Sequence, residues 1–334
     1  MKFARNILAY VTLLVPCVAA LAQPPSQSGV LFQRSGYDYA PAVIREGNSM
    51  DIWWCGSGNN ADNIYYQNID VSGPTYGSIQ NVLQPGNQGS NGWDSAHTCD
   101  PSVVKGDFIY PLGSATHYQY AMYYTGTNDG SNGGVNNGVG VAFSNDKIHW
   151  VKHPTPIYRE NYGQAYGIGH QVAINGTGGA AVWLFVLRQE TAGGPQHYHL
   201  FHSPNGLNLD YQYQISEQGV YGGFITAADF GYDATTDKVY MVTNRLNDEG
   251  RLDVYRMKWG SMGSGTWEAV DNVTSADTGK SWNAFAAFLR NSYGNINPWL
   301  PAYQLYFGAA TSQGSSRPAP SLWDIYWYQK TITP

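Results

Sequence analysis

Apolar and polar residues alternate along most of this chain in short runs, and the runs themselves recur in sets. Alternation at a period of two predicts half-buried β-strands, and no segment sustains the longer period of a helix. The first run of each set opens on a small, polar or aromatic residue and continues apolar. These openings are Ala40-Pro41-Ala42-Val43-Ile44, Asp100-Pro101-Ser102-Val103-Val104, His170-Gln171-Val172-Ala173-Ile174, Ala227-Ala228-Asp229-Phe230 and Phe285-Ala286-Ala287-Phe288-Leu289. A second run rich in aromatic and β-branched residues follows in each set, as in Met50–Gly56, Tyr120–Gly126 and Tyr303–Gly308, and then a third, as in Asn63–Gln67, Val139–Ser144 and Trp323–Tyr328.

Superimposing Pro41, Pro101, Gln171, Ala228 and Ala286 gives steps of about sixty residues, so five sets fill the chain. Five such sets predict an all-β, five-bladed β-propeller with four antiparallel strands per blade. The fifth set runs out after its third run, and Val30-Leu31-Phe32-Gln33 ahead of the first set is the expected strand that closes the ring. The Gly/Asn-rich stretch Thr127–Gly138 reads as one long surface loop.

Composition agrees with many strands joined by tight turns: aromatics reach 14%, glycines number 39 and charged residues are only 13%. Net charge is −6 with no Lys/Arg cluster, which argues against nucleic acid as a partner. Lys2 and Arg5, the apolar run Ile7–Val15 and Ala20-Leu21-Ala22 before Gln23 match a signal peptide over residues 1–22, leaving one domain over 23–334. That run is too short to span a bilayer, so the expectation is a secreted, extracellular or periplasmic monomer with no membrane anchor. Cys55 and Cys99 are compatible with one disulfide and equally with two separate buried thiols.

In a propeller the first strand of every blade lines the axis, so residues far apart in sequence converge at one mouth. Strand alternation puts Asp38 with Ala40, Asp100 with Ser102, His170, and Ala227 with Asp229 on matching faces of four blades. Carboxylates gathered in a desolvated funnel divide the roles of acid and base, as cleavage of a glycosidic bond requires. The bland alternative is that an Asp before Pro only caps a turn. Asp38, Asp100 and Asp229 are therefore the candidate catalytic residues, with Tyr37, Trp54, His97, His170 and Gln171 as candidate carbohydrate contacts. Trp53 and Trp93 lie near the same strand ends, where packing between blades is the alternative for any aromatic. No cofactor or metal is expected. His197 and His199 share a strand face but lack a completing ligand, and Asn128-Asp129-Gly130-Ser131-Asn132 lacks the bidentate Glu of a calcium loop.

The phrase Asp100-Pro101-Ser102-Val103-Val104-Lys105, the strand Tyr120–Gly126 and the stretch Val139–Asp146 through Trp150 resemble the second and third strands of the five-bladed furanosidase-like propellers. That group contains glycoside hydrolase families 43, 62, 32, 68 and 130, which act on arabinosides, xylosides, fructosides or mannosides. The resemblance implies a carboxylate from the first blade, a supporting Asp and a Glu acid from a later blade. It makes Asp38 the candidate base or nucleophile and Asp100 the orienting Asp. Two departures stand out. The Asp-Pro usual in the first blade is here Ala40-Pro41, and His170-Gln171 and Ala227-Ala228-Asp229 open the later blades where the Glu is expected. Asp229, Glu190 and Glu217 are the substitutes within the chain. A glycoside hydrolase acting on such sugars is the leading expectation, and a carbohydrate-binding propeller without the general acid is the alternative.

Overall fold

The computed structural model describes residues 27–32, 34, 36–58, 61–73, 75–129, 137–159, 168–189, 194–245, 248–311 and 323–331. The predicted signal peptide, most of the predicted Thr127–Gly138 loop and Glu190 lie outside these residues. Strands account for 60% of the described chain, against one short α-helix. After β1 (Gln27–Phe32), a first antiparallel group contains β2 (Asp38–Glu46), β3 (Ser49–Gly58) and β4 (Ala61–Asp70), with short β5 (Thr75–Tyr76) and β6 (Gln80–Leu83) both paired to β4. The second contains β7 (His97–Ile109), β8 (His117–Thr127) and β9 (Gly138–Ser144), with β10 (Val151–Lys152) and β11 (Tyr158–Arg159) on β9. The third runs β12 (Ile168–Ile174), β13 (Val182–Gln189), β14 (Gln196–Ser203), β15 (Asp210–Gln214), and the fourth β16 (Ala228–Asp233), β17 (Lys238–Arg245), β18 (Asp248–Lys258), β19 (Glu268–Val273). The last has β20 (Trp282–Arg290), β21 (Ala302–Ala310) and β22 (Asp324–Thr331). Its fourth strand is β1, which lies antiparallel on β22 with Val30 opposite Tyr326.

Packing between the groups explains the aromatic surplus. Trp53 and Ile64 of the first meet Met122 and Trp150 of the second, and Phe108 and Tyr123 of the second meet Leu184 and Phe201 of the third. Phe185 of the third stacks on Phe230 of the fourth with ring centroids 4.2 Å apart. Such a pair adds about 0.5–1.5 kcal/mol beyond the area it buries. Val242 and Val254 of the fourth face Phe288 and Leu305 of the last, and Leu289, Tyr306 and Ile325 of the last return to Val43, Ile52 and Trp54 of the first. The inner strands follow the same order: β2 touches β7, β7 touches β12, β12 touches β16, β16 touches β20, and β20 pairs in parallel with β2 at Val43–Leu289 and Ile44–Arg290.

Most of those inner strands are neighbours without a ladder between them, so their backbone groups need other partners. Side chains supply them. Ser102 Oγ accepts from Ala173 N at 2.9 Å and Asp229 Oδ2 from Phe288 N at 2.8 Å. Arg290 Nη1 donates to the carbonyls of Phe230 and Ala173 at 3.0 and 3.3 Å. Tyr198 Oη is 3.1 Å from the carbonyls of His170 and Ala228.

Candidate functional site

Four of the five inner strands begin with the same distortion. Ala40, Asp100, His170 and Phe285 have φ of 47°, 48°, 47° and 55°, and at each of them the pairing register with the second strand of the group shifts. A non-glycine residue in the left-handed region costs roughly 1–2 kcal/mol, and bulges of this kind re-aim side chains. The distortion places Asp100, His170 and Phe285 at equivalent positions around one mouth, with Ala40 in the first group. Strand β16 has no such shift.

The bulge breaks the simple alternation that grouped Asp38, Asp100 and Asp229 on one face. Asp38, two residues before Ala40, is 0% exposed and receives Arg34 Nη2 at 2.6 Å, Arg34 Nε at 2.9 Å and the Trp54 indole N–H at 2.5 Å. Burial pushes its carboxyl above the ordinary value, against the pull of Arg34. Trp54 is equally sealed. Asp229 sits deeper on the axis, where it holds Phe288 N and lies 3.6 Å from Arg290 Nη1. Burial raises its carboxyl too, with Arg290 opposing.

Asp100, Gln171 and His170 stay together at the mouth. His170 Nε2 is 4.0 Å from Asp100 Oδ1, the Gln171 amide donates to the Asp100 carbonyl, and Thr125 Oγ1 donates to Gln171 Oε1 at 3.0 Å. The His170 ring stacks on Phe285 at 5.6 Å and 19°. Asp100, Gln171 and His170, together with Ala40, Ser102, Val172, Asp229 and Arg290, help to line an axial cavity with about 10 Å³ of free space, about enough for one water. This cavity is too small for a sugar ring.

A carboxylate that strand patterning did not single out completes the group. Asp62, at the start of β4, receives the Tyr37 hydroxyl, the Tyr39 hydroxyl at 3.3 Å and lies 3.5 Å from His97 Nδ1. Burial pushes its carboxyl up, hydrogen bonding from Tyr37 and the charge of His97 pull it down, and the charge of Asp100 adds to the rise. Cys55 and Cys99 form a disulfide, with Cα atoms 5.0 Å apart. An Asp62 oxygen lies within 4.8 Å of both sulfurs, and Asp100 Oδ1 lies 3.5 Å from that of Cys99. Cys55, Cys99 and Asp62 have the proximity of a metal-ligand set, but both sulfurs are spent on each other. Nothing in the local sequence marks Asp62; its role in the cluster comes from the packing of β4 against β7. In the third group, His197 engages Glu217 at 3.0 Å, and His199 Nδ1 is 3.3 Å from Arg188.

No family model matches the sequence, and no curated protein matches it. Solved structures do. The catalytic domain of the Coprinopsis cinerea GH62 α-L-arabinofuranosidase superimposes with a TM-score of 0.60 at 12% identity, covering 92% of this chain and 96% of that one. Zg3597, a family 117 glycoside hydrolase of Zobellia galactanivorans, gives 0.60 at 11% identity over 91% and 90%. A protein of unknown function from Dyadobacter fermentans gives 0.58 at 10% over 92% and 98%. The chain shares its fold with the furanosidase-like glycoside hydrolases. Within that fold, the position where the resemblance calls for a first-blade Asp is Ala40, the second-blade Asp is Asp100, and His170 holds the equivalent position in the third.

Proposed function

We propose that this chain is an exported five-bladed β-propeller, its ring completed by β1, that hydrolyses glycosidic bonds of arabinoside, xyloside or fructoside type at the mouth of its axis. The observation that carries this reading is the pair Asp62 and Asp100. Their side chains are 18% and 16% exposed, they stand beside one disulfide, and His170, His97 and two tyrosines surround them. A half-buried pair of this kind separates into a proton donor and a proton acceptor. Asp62, held by Tyr37 and Tyr39, would give its proton to the departing oxygen as the C–O bond breaks. Asp100 would take the proton of the water that attacks the anomeric carbon. Asp38 and Asp229 act in this reading as buried partners of Arg34 and Arg290 and keep the inner strands in place.

The test is release of reducing sugar from arabinan, xylan and their oligosaccharides by the wild type, Asp100→Asn and Asp62→Asn. General acid–base groups contribute about 10²–10⁴-fold, so each variant should lose at least about a hundredfold without any loss of stability. Wild-type turnover in Asp100→Asn removes it from the chemistry. One observation favours a second reading, carbohydrate binding without turnover: Ala40 and His170 stand where the resemblance calls for acids. Calorimetric binding of these sugars with no hydrolysis by the wild type would support that alternative.

A further inference from the structure

We propose that opening the Cys55–Cys99 disulfide creates a zinc site, with the two thiolates and one Asp62 oxygen as ligands and water in the fourth position. Metal binding there goes beyond the carbohydrate reading and does not depend on it. The three donor atoms come from β3, β7 and β4 and all lie within 4.8 Å of one another. Zinc held at about 2.3 Å from sulfur and about 2.0–2.2 Å from oxygen keeps its ligand atoms roughly 3.5–4 Å apart, so a set of this size closes on the ion by side-chain rotation. The Cα atoms of the two cysteines, 5.0 Å apart, keep the sulfurs close once the bond between them is opened.

The step is a two-electron reduction. Cys99 is the more exposed of the pair, 8% against 0% for Cys55, so a thiolate of a dithiol reductant attacks Cys99 Sγ and the Cys55 sulfur leaves. The second thiol of the reductant then releases Cys99 as the reductant closes to its own disulfide, and zinc displaces the two thiol protons on binding. The surroundings favour a dication over the open pair alone. Asp100 Oδ1 lies 3.5 Å from Cys99 Sγ, and among the described residues the ion-pair partners of Asp62 and Asp100 are the histidines His97 and His170. Thiolates opened beside two carboxylates repel them, and a bound dication removes that repulsion. Outer hydrogen bonds already orient the ligands: the Tyr37 and Tyr39 hydroxyls donate to Asp62, and the Tyr39 hydroxyl is 3.1 Å from Cys99 Sγ. Two sulfur ligands select zinc over calcium or magnesium, which take oxygen. The Asp62 side chain is 18% exposed and that of His97 beside it 32%, which gives the ion and its water an approach. Bound zinc takes the Asp62 oxygen that the hydrolytic reading uses as proton donor, so this form would be silent in that reaction.

The test is to reduce the full chain with dithiothreitol, desalt it without oxygen, and titrate it with Zn²⁺ against a chromophoric chelator, with Co²⁺ as a spectroscopic probe. The reduced wild type should take up one zinc per chain and give a thiolate-to-cobalt charge-transfer band, and the oxidised protein should do neither. Asp62→Asn should weaken zinc binding at least about tenfold, since even outer partners of a metal site are worth about 10–100-fold. Cys55→Ser/Cys99→Ser should abolish it. Zinc uptake that is absent from the reduced wild type, or equal in the oxidised or doubly substituted protein, overturns the site. So does a missing charge-transfer band, an Asp62→Asn variant that binds like the wild type, or a reduced protein whose near-ultraviolet circular dichroism shows its fold is lost. Each of these outcomes leaves the carbohydrate reading standing, because that is judged by sugar binding and turnover in the oxidised protein.

Discussion

Removing the Cys55–Cys99 disulfide is the perturbation whose size the structure states most directly. It joins β3 to β7 across the boundary between the first two groups, over a sequence separation of 44 residues. Closing a loop of that length in the unfolded chain removes roughly 13 cal/mol/K of entropy, or about 4 kcal/mol at room temperature. For a domain of this size the melting temperature should fall by roughly 6 °C. The assay is urea unfolding of the wild type, of the wild type after reduction with a phosphine, and of the Cys55→Ala/Cys99→Ala double variant. The two disulfide-free forms should agree with each other, and their unfolding slope should steepen because the open chain exposes more surface. Asp62 and Asp100 lie beside the sulfurs, so sugar binding should weaken in both forms under conditions where they remain folded. A loss of stability below about 1 kcal/mol would refute the loop-closure reasoning, since packing between the two groups would then hold the unfolded chain no less than the covalent link.

Asp38→Asn should destabilise by about 3 kcal/mol, because it strips the counter-charge from Arg34 in a buried setting; a melt within a degree of wild type would return Asp38 to the list of chemical candidates. Lys152 Nζ lies 2.6 Å from Asp94 Oδ2 with both side chains fully buried. Asp94→Asn should cost about 3 kcal/mol or more, and Lys152→Met/Asp94→Leu less than the single change, which thermal melts of the three proteins would read. Asp62 gives a pH signature. Its carboxyl is raised by burial above the ordinary value of 3.8, so the native state keeps a proton that the unfolded chain has already released. Its contribution to stability therefore falls as pH rises from the unfolded value through the raised one, and stays at the lower level above it. Relative to wild type, Asp62→Asn should gain stability across that window in urea titrations between roughly pH 3.5 and 7, and a difference independent of pH would contradict the assignment.

Much of the strand architecture was legible because repetition and alternation are local. The five openings, from Ala40-Pro41 to Phe285-Ala286, coincide with β2, β7, β12, β16 and β20, and the run Val30–Gln33 supplies β1 as far as Phe32. The site was legible only in part. Asp100, His170 and Gln171 stand together at the mouth, as their place at the strand openings suggested. Asp38 and Trp54 turn inward to Arg34, because alternation cannot register a bulge that displaces the pairing between Tyr39 and Ala42. Asp62 belongs to the third strand of its group, where no spacing rule looks for a carboxylate, and only the approach of β4 to β7 brings it beside Asp100. The disulfide was one of two open alternatives until the Cα separation was known. Strand identity is set by neighbours along the chain, so the sequence by itself located the first, second and third strands of each group to within a few residues. Which carboxylates face solvent depends on left-handed backbone at four residues and on contacts between strands far apart in the chain, and only the tertiary structure decided that.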